Sequence, residues 1–231
     1  MKIGIIGSGS VAQILAGKLA AAGHAVTISS RDTTKAKESS LGPIPSADDW
    51  AAEARAKGLE ATAGSFAEAA VAGELIINAT PGGGSLEALQ AAGAENLRGK
   101  ILVDLSNPLD SSQGMPPILS VCNTDSVGEQ IQAAFPETRV VKTLNTVTAY
   151  LMVDPDRLPE QTDLFVAGND AEAKEWVAQR LLRETLGWER ITDLGDITAS
   201  RGAEMYLPLW LRLWGATGTG ILNVRLVVEQ S

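Results

Sequence analysis

Apolar residues follow two alternating rhythms along the chain. Residues 3–6 form a short continuous apolar run, after which Val11, Ile14, Leu15 and Leu19 recur at helical spacing. The pattern predicts buried strands over residues 3–6, 25–29, 75–79, 101–105, 140–144 and 164–167, with shorter ones over 59–63 and 191–194. Ser46 with Asp49, and Ser65 with Glu68, carry the spacing of a capping box and predict helix starts. Further helices are expected over 85–94 and 127–135. Another opens at Asn169, with Glu172 in capping position, and buries Trp176, Leu181 and Leu182. Residues 197–214 read as helical and 222–228 as extended. Continuous apolar strands suit a parallel sheet covered on both faces, and their alternation with helices predicts a doubly wound, mostly parallel sheet in a three-layer α/β/α sandwich.

Directly after the first strand stands Gly7-Ser8-Gly9-Ser10-Val11-Ala12. Gly7 permits a tight turn, Gly9 lets the backbone approach a pyrophosphate, and Ala12 keeps helix and strand close. A helix N-terminus opening there offers free N–H groups to phosphates. This context makes the fold Rossmann-type and assigns Gly7, Ser8, Gly9, Ser10 and Val11 to a dinucleotide. An NAD site usually has an acid at the end of the second strand, but here Ser30-Arg31 occupies it, with Lys35 one helical turn further on. A carboxylate would repel a 2′-phosphate, whereas Ser30, Arg31 and Lys35 attract it. The expected cofactor is NADP(H).

In such a sheet the ligand lies beyond the C-terminal strand ends, near the point where strand order reverses. Three strand ends carry polar or special residues there: Asn78-Ala79-Thr80-Pro81, Ser106-Asn107-Pro108-Leu109 and Lys142-Thr143-Leu144-Asn145-Thr146. Any one asparagine could be a turn former. Three on one rim point to a site. Residues 106–126, with Pro108, Pro116 and Pro117, form a long patternless stretch of the kind that is usually functional or mobile.

The composition excludes other chemistries. The 231 residues suit one α/β domain with a modest appendage: an NADP-binding domain over 1–195, and a C-terminal helix and extended tail over 196–231 that completes the site or forms a dimer interface. A net charge of −9 without a basic run disfavours nucleic acid. Cys122 and His24 are the lone cysteine and histidine, so neither a cysteine–histidine metal site nor a Ser-His-Asp triad can be assembled. Glycines and serines interrupt the N-terminal apolar run, and Pro208, Arg212 and Arg225 interrupt 206–228. Neither a targeting segment nor a membrane span is expected, and the location expected is the cytoplasm.

The glycine loop, Ser30-Arg31, Asn107-Pro108-Leu109 and Val141-Lys142-Thr143-Leu144-Asn145-Thr146 together resemble the F420-dependent NADP oxidoreductase family. Residues 145–150 and the strand at 164–168 before Asn169 and Asp170 are also similar to the cytosolic domains of STEAP metalloreductases, which use NADPH and a flavin. The resemblance implies hydride transfer between NADP(H) and coenzyme F420, a deazaflavin, or a flavin-like acceptor. It implies that Ala79, Thr80 and Pro81 line the ribose and nicotinamide, and that Asn107, Asn145 and Thr146 border the acceptor. The sequence departs at Ala12, where archaeal members usually have glycine, and in an insertion over 38–57 that carries Trp50.

Hydride transfer between stacked rings needs positioning more than acid–base residues. Met205, Leu207, Trp210 and Trp214 recur at helical spacing and suit plain core, a cover for a flat ring or a homodimer contact. Two other readings stay open. One is NADP-dependent reduction of a small carbonyl or imine, with Lys142 as the catalytic candidate; the other is a non-enzymatic NADP(H) sensor.

Overall fold

A computed structural model describes residues 1–39 and 42–229 of the chain, so residues 40 and 41 of the insertion and 230 and 231 of the tail lie outside it. The central sheet comprises β1 (Lys2–Ile6), β2 (Ala25–Ser29), β3 (Ala61–Gly64), β4 (Leu75–Asn78), β5 (Ile101–Asp104), β6 (Arg139–Thr143), β7 (Asp163–Ala167) and β8 (Arg190–Asp193). Their spatial order is β8-β7-β6-β5-β4-β1-β2-β3. Neighbours pair in parallel except β6 with β7, where Lys142 lies opposite Ala167. The order reverses between β1 and β4, which creates the switch point above the glycine loop.

The helices are α1 (Ser10–Ala21), α2 (Ala47–Ala56), α3 (Phe66–Ala72), α4 (Gly82–Ala92), α5 (Ala94–Leu97), α6 (Val127–Ala134), α7 (Ala149–Val153), α8 (Ala171–Trp176), α9 (Ser200–Met205) and α10 (Leu207–Thr217). Successive strand residues serve opposite layers, which explains why the apolar runs are continuous. Leu75 and Ile77 pack with Leu15, Leu19 and Leu182, while Ile76 packs with Ala69, Leu89 and Ile131. Each fully buried aliphatic side chain contributes roughly 1.5–3 kcal/mol, so both layers are needed to hold the sheet.

The expected doubly wound α/β architecture is present, and both capping boxes cap helices. Ser46 accepts from the Asp49 amide, and Ser65 and Glu68 satisfy one another reciprocally. Several boundaries differ. The third strand occupies 61–64 instead of 59–63, and α4 starts at Gly82, three residues before Ser85. Three glycines are poor helix formers, which hides that first turn from a propensity reading. Asn169 does not cap α8: Asp170 does, accepting from the Ala173 amide, while Asn169 accepts from Ile197 N–H. Trp176 is only partly buried, although Leu181 and Leu182 are core. The chain continues beyond α8 as a π-helix over Val177–Thr185.

A β-hairpin that starts one residue before the insertion pairs Lys37–Ser39 with Gly42–Ile44, and the insertion ends in α2. The long stretch 106–126 contains a small antiparallel ladder, Leu109–Asp110 with Ile118–Leu119. The tail expected as a strand over 222–228 is assigned none. It is nevertheless fastened to β7, where the Asp163 amide donates to Val224 O at 3.0 Å and Leu226 N–H to Asp163 Oδ2 at 2.8 Å. Among the described residues no helix is long and apolar enough to cross a membrane, and no group of three or more metal-ligating side chains converges.

Candidate active site

The rim above the switch point is built from the turns that leave β1, β2, β4, β5 and β6. Gly7 turns the chain at φ +132°, and a Cβ there would stand 2.8 Å from Ala79 O, so only glycine fits. Gly9 is the N-cap of α1, with no side-chain cap and no acidic residue in the first turn. The helix therefore presents unsatisfied N–H groups and the positive end of its dipole, and the space a Cβ of Gly9 would fill is open. Ala12 is fully buried, as its role in helix–strand packing requires. Ser8, Ser10 and Val11 line the same loop. This cradle suits a pyrophosphate.

At the end of β2, Ser30 Oγ donates to Asp32 O at 2.9 Å. Arg31 is exposed and reaches Glu87 of α4 across the groove at 3.6 Å. Lys35 is exposed beside Asp32, whose carboxyl is held below its ordinary value first by hydrogen bonds from Thr34 and also by the Lys35 charge. That carboxylate is engaged by Thr34 N–H at 3.0 Å and Thr34 Oγ1 at 2.7 Å. A cationic β2 end, with the Asp32 carboxylate engaged by Thr34 and Glu87 reaching Arg31 only at 3.6 Å, fits a 2′-phosphate. Lys37, which sequence reasoning did not select, donates to Ser8 Oγ at 2.8 Å. It lies one residue before the insertion, where no periodicity marks an inward residue.

The β4 end is held by a buried network. Asn78 donates to Asp104 Oδ1 at 2.8 Å and to Ser85 Oγ at 3.1 Å, and accepts from Thr80 Oγ1 at 2.7 Å. The Ala79 amide donates to Ile6 O at 2.9 Å, so Ala79-Thr80-Pro81 is fixed beside the glycine loop. Pro81 is the N-cap of α4, a second helix start without a side-chain cap. Gly82 lies against the backbone of Asn107, leaving no room for a Cβ, and its amide donates to Asn107 O at 3.1 Å. This contact joins the β4 turn to the β5 turn.

Asn107 and Asn145, expected on one rim, are in direct contact. Asn107 Nδ2 donates to Asn145 O at 2.9 Å, and Asn145 Nδ2 donates to Asn107 Oδ1 at 2.9 Å and to Ala203 O at 3.1 Å. Leu144, at φ +62°, makes the turn that places Asn145 there. Thr146 Oγ1 is buried and, among the described residues, finds no hydrogen-bond partner. The rim thus runs from a phosphate cradle at β1 and β2 to an asparagine pair at β5 and β6.

A family model described as NADP oxidoreductase, coenzyme F420-dependent, matches residues 2–108. A solved structure from Arthrobacter sp. FB24, provisionally assigned as an F420-dependent NADP-reductase, shares 51% identity at a TM-score of 0.89. That match covers 99% of this chain and 100% of the other. The chain belongs to the F420-dependent NADP oxidoreductase family. It is an NADP-dependent oxidoreductase. The F420-dependent NADP reductase of Methanothermobacter marburgensis is 29% identical over 217 residues, covering 92% of each chain. Metalloreductase STEAP3 of Rattus norvegicus is 27% identical over 213 residues, which is 90% of this chain and 38% of that longer protein.

In this oxidoreductase Lys142 is not a rim residue. Its side chain is fully buried and its Nζ meets Asp104 Oδ2 at 2.8 Å, Glu204 Oε1 at 2.7 Å and the Ser106 carbonyl. Burial pushes its pKa down, but the two carboxylates outweigh burial and hold it above the ordinary lysine value. This geometry speaks against the catalytic role weighed for Lys142, because its ammonium is buried and held by three oxygens. Glu204 also accepts from the Val127 and Gly128 amides at 2.9 and 3.1 Å. The network therefore fastens α9 and the start of α6 beneath the asparagine pair. Glu204 and Asp104 were missed by sequence reasoning; the one signal was that Asp104 closes an otherwise apolar strand.

Of the C-terminal residues expected to cover a ring or a partner, Leu207 and Trp210 are buried, while Met205 and Trp214 remain partly exposed. Trp210 and Trp214 pack ring to ring at 5.4 Å.

Proposed function

We propose that the enzyme transfers hydride between NADP(H) and a planar deazaflavin or flavin-like acceptor, with coenzyme F420 as the preferred one. NADP(H), when bound, supplies or accepts the hydride at its nicotinamide. The protein's own work is positioning. The Gly7–Val11 loop and α1 hold the pyrophosphate, Ser30 and Arg31, with Lys35, hold the 2′-phosphate, and Ala79, Thr80 and Pro81 border the ribose and nicotinamide. Asn107, Asn145 and Thr146 border the acceptor.

The observation that carries this reading is the reciprocal Asn107–Asn145 pair at the end of a phosphate-binding rim. It offers fixed amide groups to a heterocycle and no titratable side chain. Reduction of a small carbonyl instead needs a proton donor at the carbonyl oxygen, and the lysine nearest that pair is buried and paired. The name of the Methanothermobacter relative gives the same acceptor. In this reading α9 of the C-terminal extension belongs to the site, because Ala203 O holds Asn145. A cytoplasmic homodimer formed through exposed Leu209 and Trp214 of α10 belongs to the same proposal, and a monomeric mass by sedimentation equilibrium would remove the dimer.

The test is NADPH oxidation by purified protein against F420, FMN, FAD and a panel of small carbonyls and imines. Fastest turnover with F420 or a flavin is expected. Turnover confined to carbonyls or imines would replace this reading.

A further inference from the structure

Lys37 opens the first strand of the hairpin that leads into the insertion, yet its ammonium is at the glycine loop, 2.8 Å from Ser8 Oγ. Ser8 is buried and adjoins the end of β2, because the carbonyl of its neighbour Gly7 accepts from Ser29 N–H at 3.2 Å. Ser8, Ser30 and Arg31 thus share one corner, and Lys37 enters it from outside. The hairpin base is fastened a second time. Gln13 Nε2 donates both to Ser8 O at 3.1 Å and to Pro45 O, just past the second hairpin strand, at 2.8 Å.

The hairpin that leads into the insertion therefore presses a lysine against the same corner that carries Arg31. Burial, and then the like charge of Arg31, hold the Lys37 ammonium below its ordinary pKa. Two cations brought to one corner repel unless an anion lies between them. A phosphomonoester dianion has three acceptor oxygens, enough for an arginine fork, a lysine point charge and a serine hydroxyl at once.

We infer that Lys37 is a direct ligand of the NADP(H) 2′-phosphate, acting with Arg31 and Ser30, and that the hairpin base is part of the cofactor site. The inference rests on the 2′-phosphate placement proposed above. It gives the hairpin a purpose: to bring a further cation to the 2′ position from outside the nucleotide-binding core.

Lys37→Met and Lys37→Arg should be compared with the unaltered enzyme by fluorescence titration with NADPH and with NADH, without acceptor. A charged hydrogen bond predicts that Lys37→Met weakens NADPH by about tenfold or more, while NADH changes by less than about threefold. Lys37→Arg should keep most of the NADPH affinity, and the thermal midpoints should agree because only the ammonium is desolvated while the rest of the side chain lies in solvent. Equal weakening of both cofactors would show that Lys37 only shapes the loop, and no weakening of either would show that it touches no phosphate; each overturns the inference alone. Equal NADPH and NADH constants in the unaltered enzyme would overturn the inference together with the 2′-phosphate placement on which it rests.

Discussion

Asn107 and Asn145, 38 residues apart, hold each other by two hydrogen bonds of 2.9 Å, one to a side-chain oxygen and one to a backbone carbonyl. The pair closes the rim between β5 and β6 and leaves no freedom for either turn to drift. Replacing Asn145 by alanine removes its side-chain bonds to Asn107 Oδ1 and to Ala203 O together, while its backbone carbonyl can still accept from Asn107. We expect acceptor turnover to fall at least about tenfold, with a stability loss of about 1–3 kcal/mol from the groups left unpaired. The NADPH dissociation constant should hold within about twofold, because the phosphate cradle lies at the other end of the rim. Stopped-flow reduction with a parallel NADPH titration separates the two effects; a matching loss of NADPH affinity would move Asn145 out of the acceptor side.

Beneath that pair, Lys142 neutralises part of a buried site that holds Asp104 and Glu204. Lys142→Met would leave two carboxylates buried without their cation, a change that costs about 3–5 kcal/mol. Equilibrium unfolding in urea measures it. The pH dependence has a definite sign. A lysine raised in the folded state contributes its full stability below the unfolded value of 10.5 and loses it as pH climbs through the higher folded value. The unaltered enzyme should therefore lose urea resistance above pH 10.5 more steeply than Lys142→Met does.

The glycine loop, the Ser30-Arg31 step and most of the buried strands were legible because each depends on local residue types: glycine where a turn demands it, a cation where an acid is usual, apolar runs where both faces are covered. The asparagine pair was legible only as strand ends sharing a rim, since partners so far apart leave no local trace. Glu204 looks like any polar residue of a helix, and its burial depends on Lys142 and on the α6 amides meeting it. Lys37 was hidden for the opposite reason. The segment leading into the insertion has no period to read, and the contact with Ser8 comes from the fold of the hairpin.

Arg31 reaches across the groove to Glu87 at 3.6 Å, with both side chains well exposed. A dianionic phosphate at this corner competes with Glu87 for the guanidinium. NADPH should bind at least about tenfold more tightly than NADH, and Arg31→Ala should remove most of that difference. Glu87→Gln should raise NADPH affinity modestly, by about two- to fivefold, because exposed ion pairs contribute up to about 1 kcal/mol. Calorimetric titration with both cofactors measures both effects. A stronger NADH response than NADPH response to Glu87→Gln would place Glu87 away from the 2′ position.

Arg139 grips Asp170, the cap of α8, through bonds of 2.6 and 3.0 Å. The guanidinium, and then the Ala173 amide, hold the Asp170 carboxyl down at about 2 from an ordinary 3.8. A depressed carboxyl contributes fully above its unfolded value and loses that contribution as pH falls through the folded one. The stability gap between the enzyme and Asp170→Asn should be present at neutral pH and close between about pH 3.8 and 2. At this exposure it should amount to about 1 kcal/mol or less. Urea midpoints for the two proteins across that window test the sign.

Direct hydride transfer between two rings is the central claim, and isotope tracing tests it most directly. NADPH deuterated at the transferable position of the nicotinamide would be oxidised by the enzyme in the presence of F420, and the reduced deazaflavin examined by mass spectrometry. The account predicts that deuterium is recovered in the deazaflavin ring with little loss to water. Oxidation of NADPH with the label released to solvent, or no oxidation in the presence of F420 or a flavin, would contradict it.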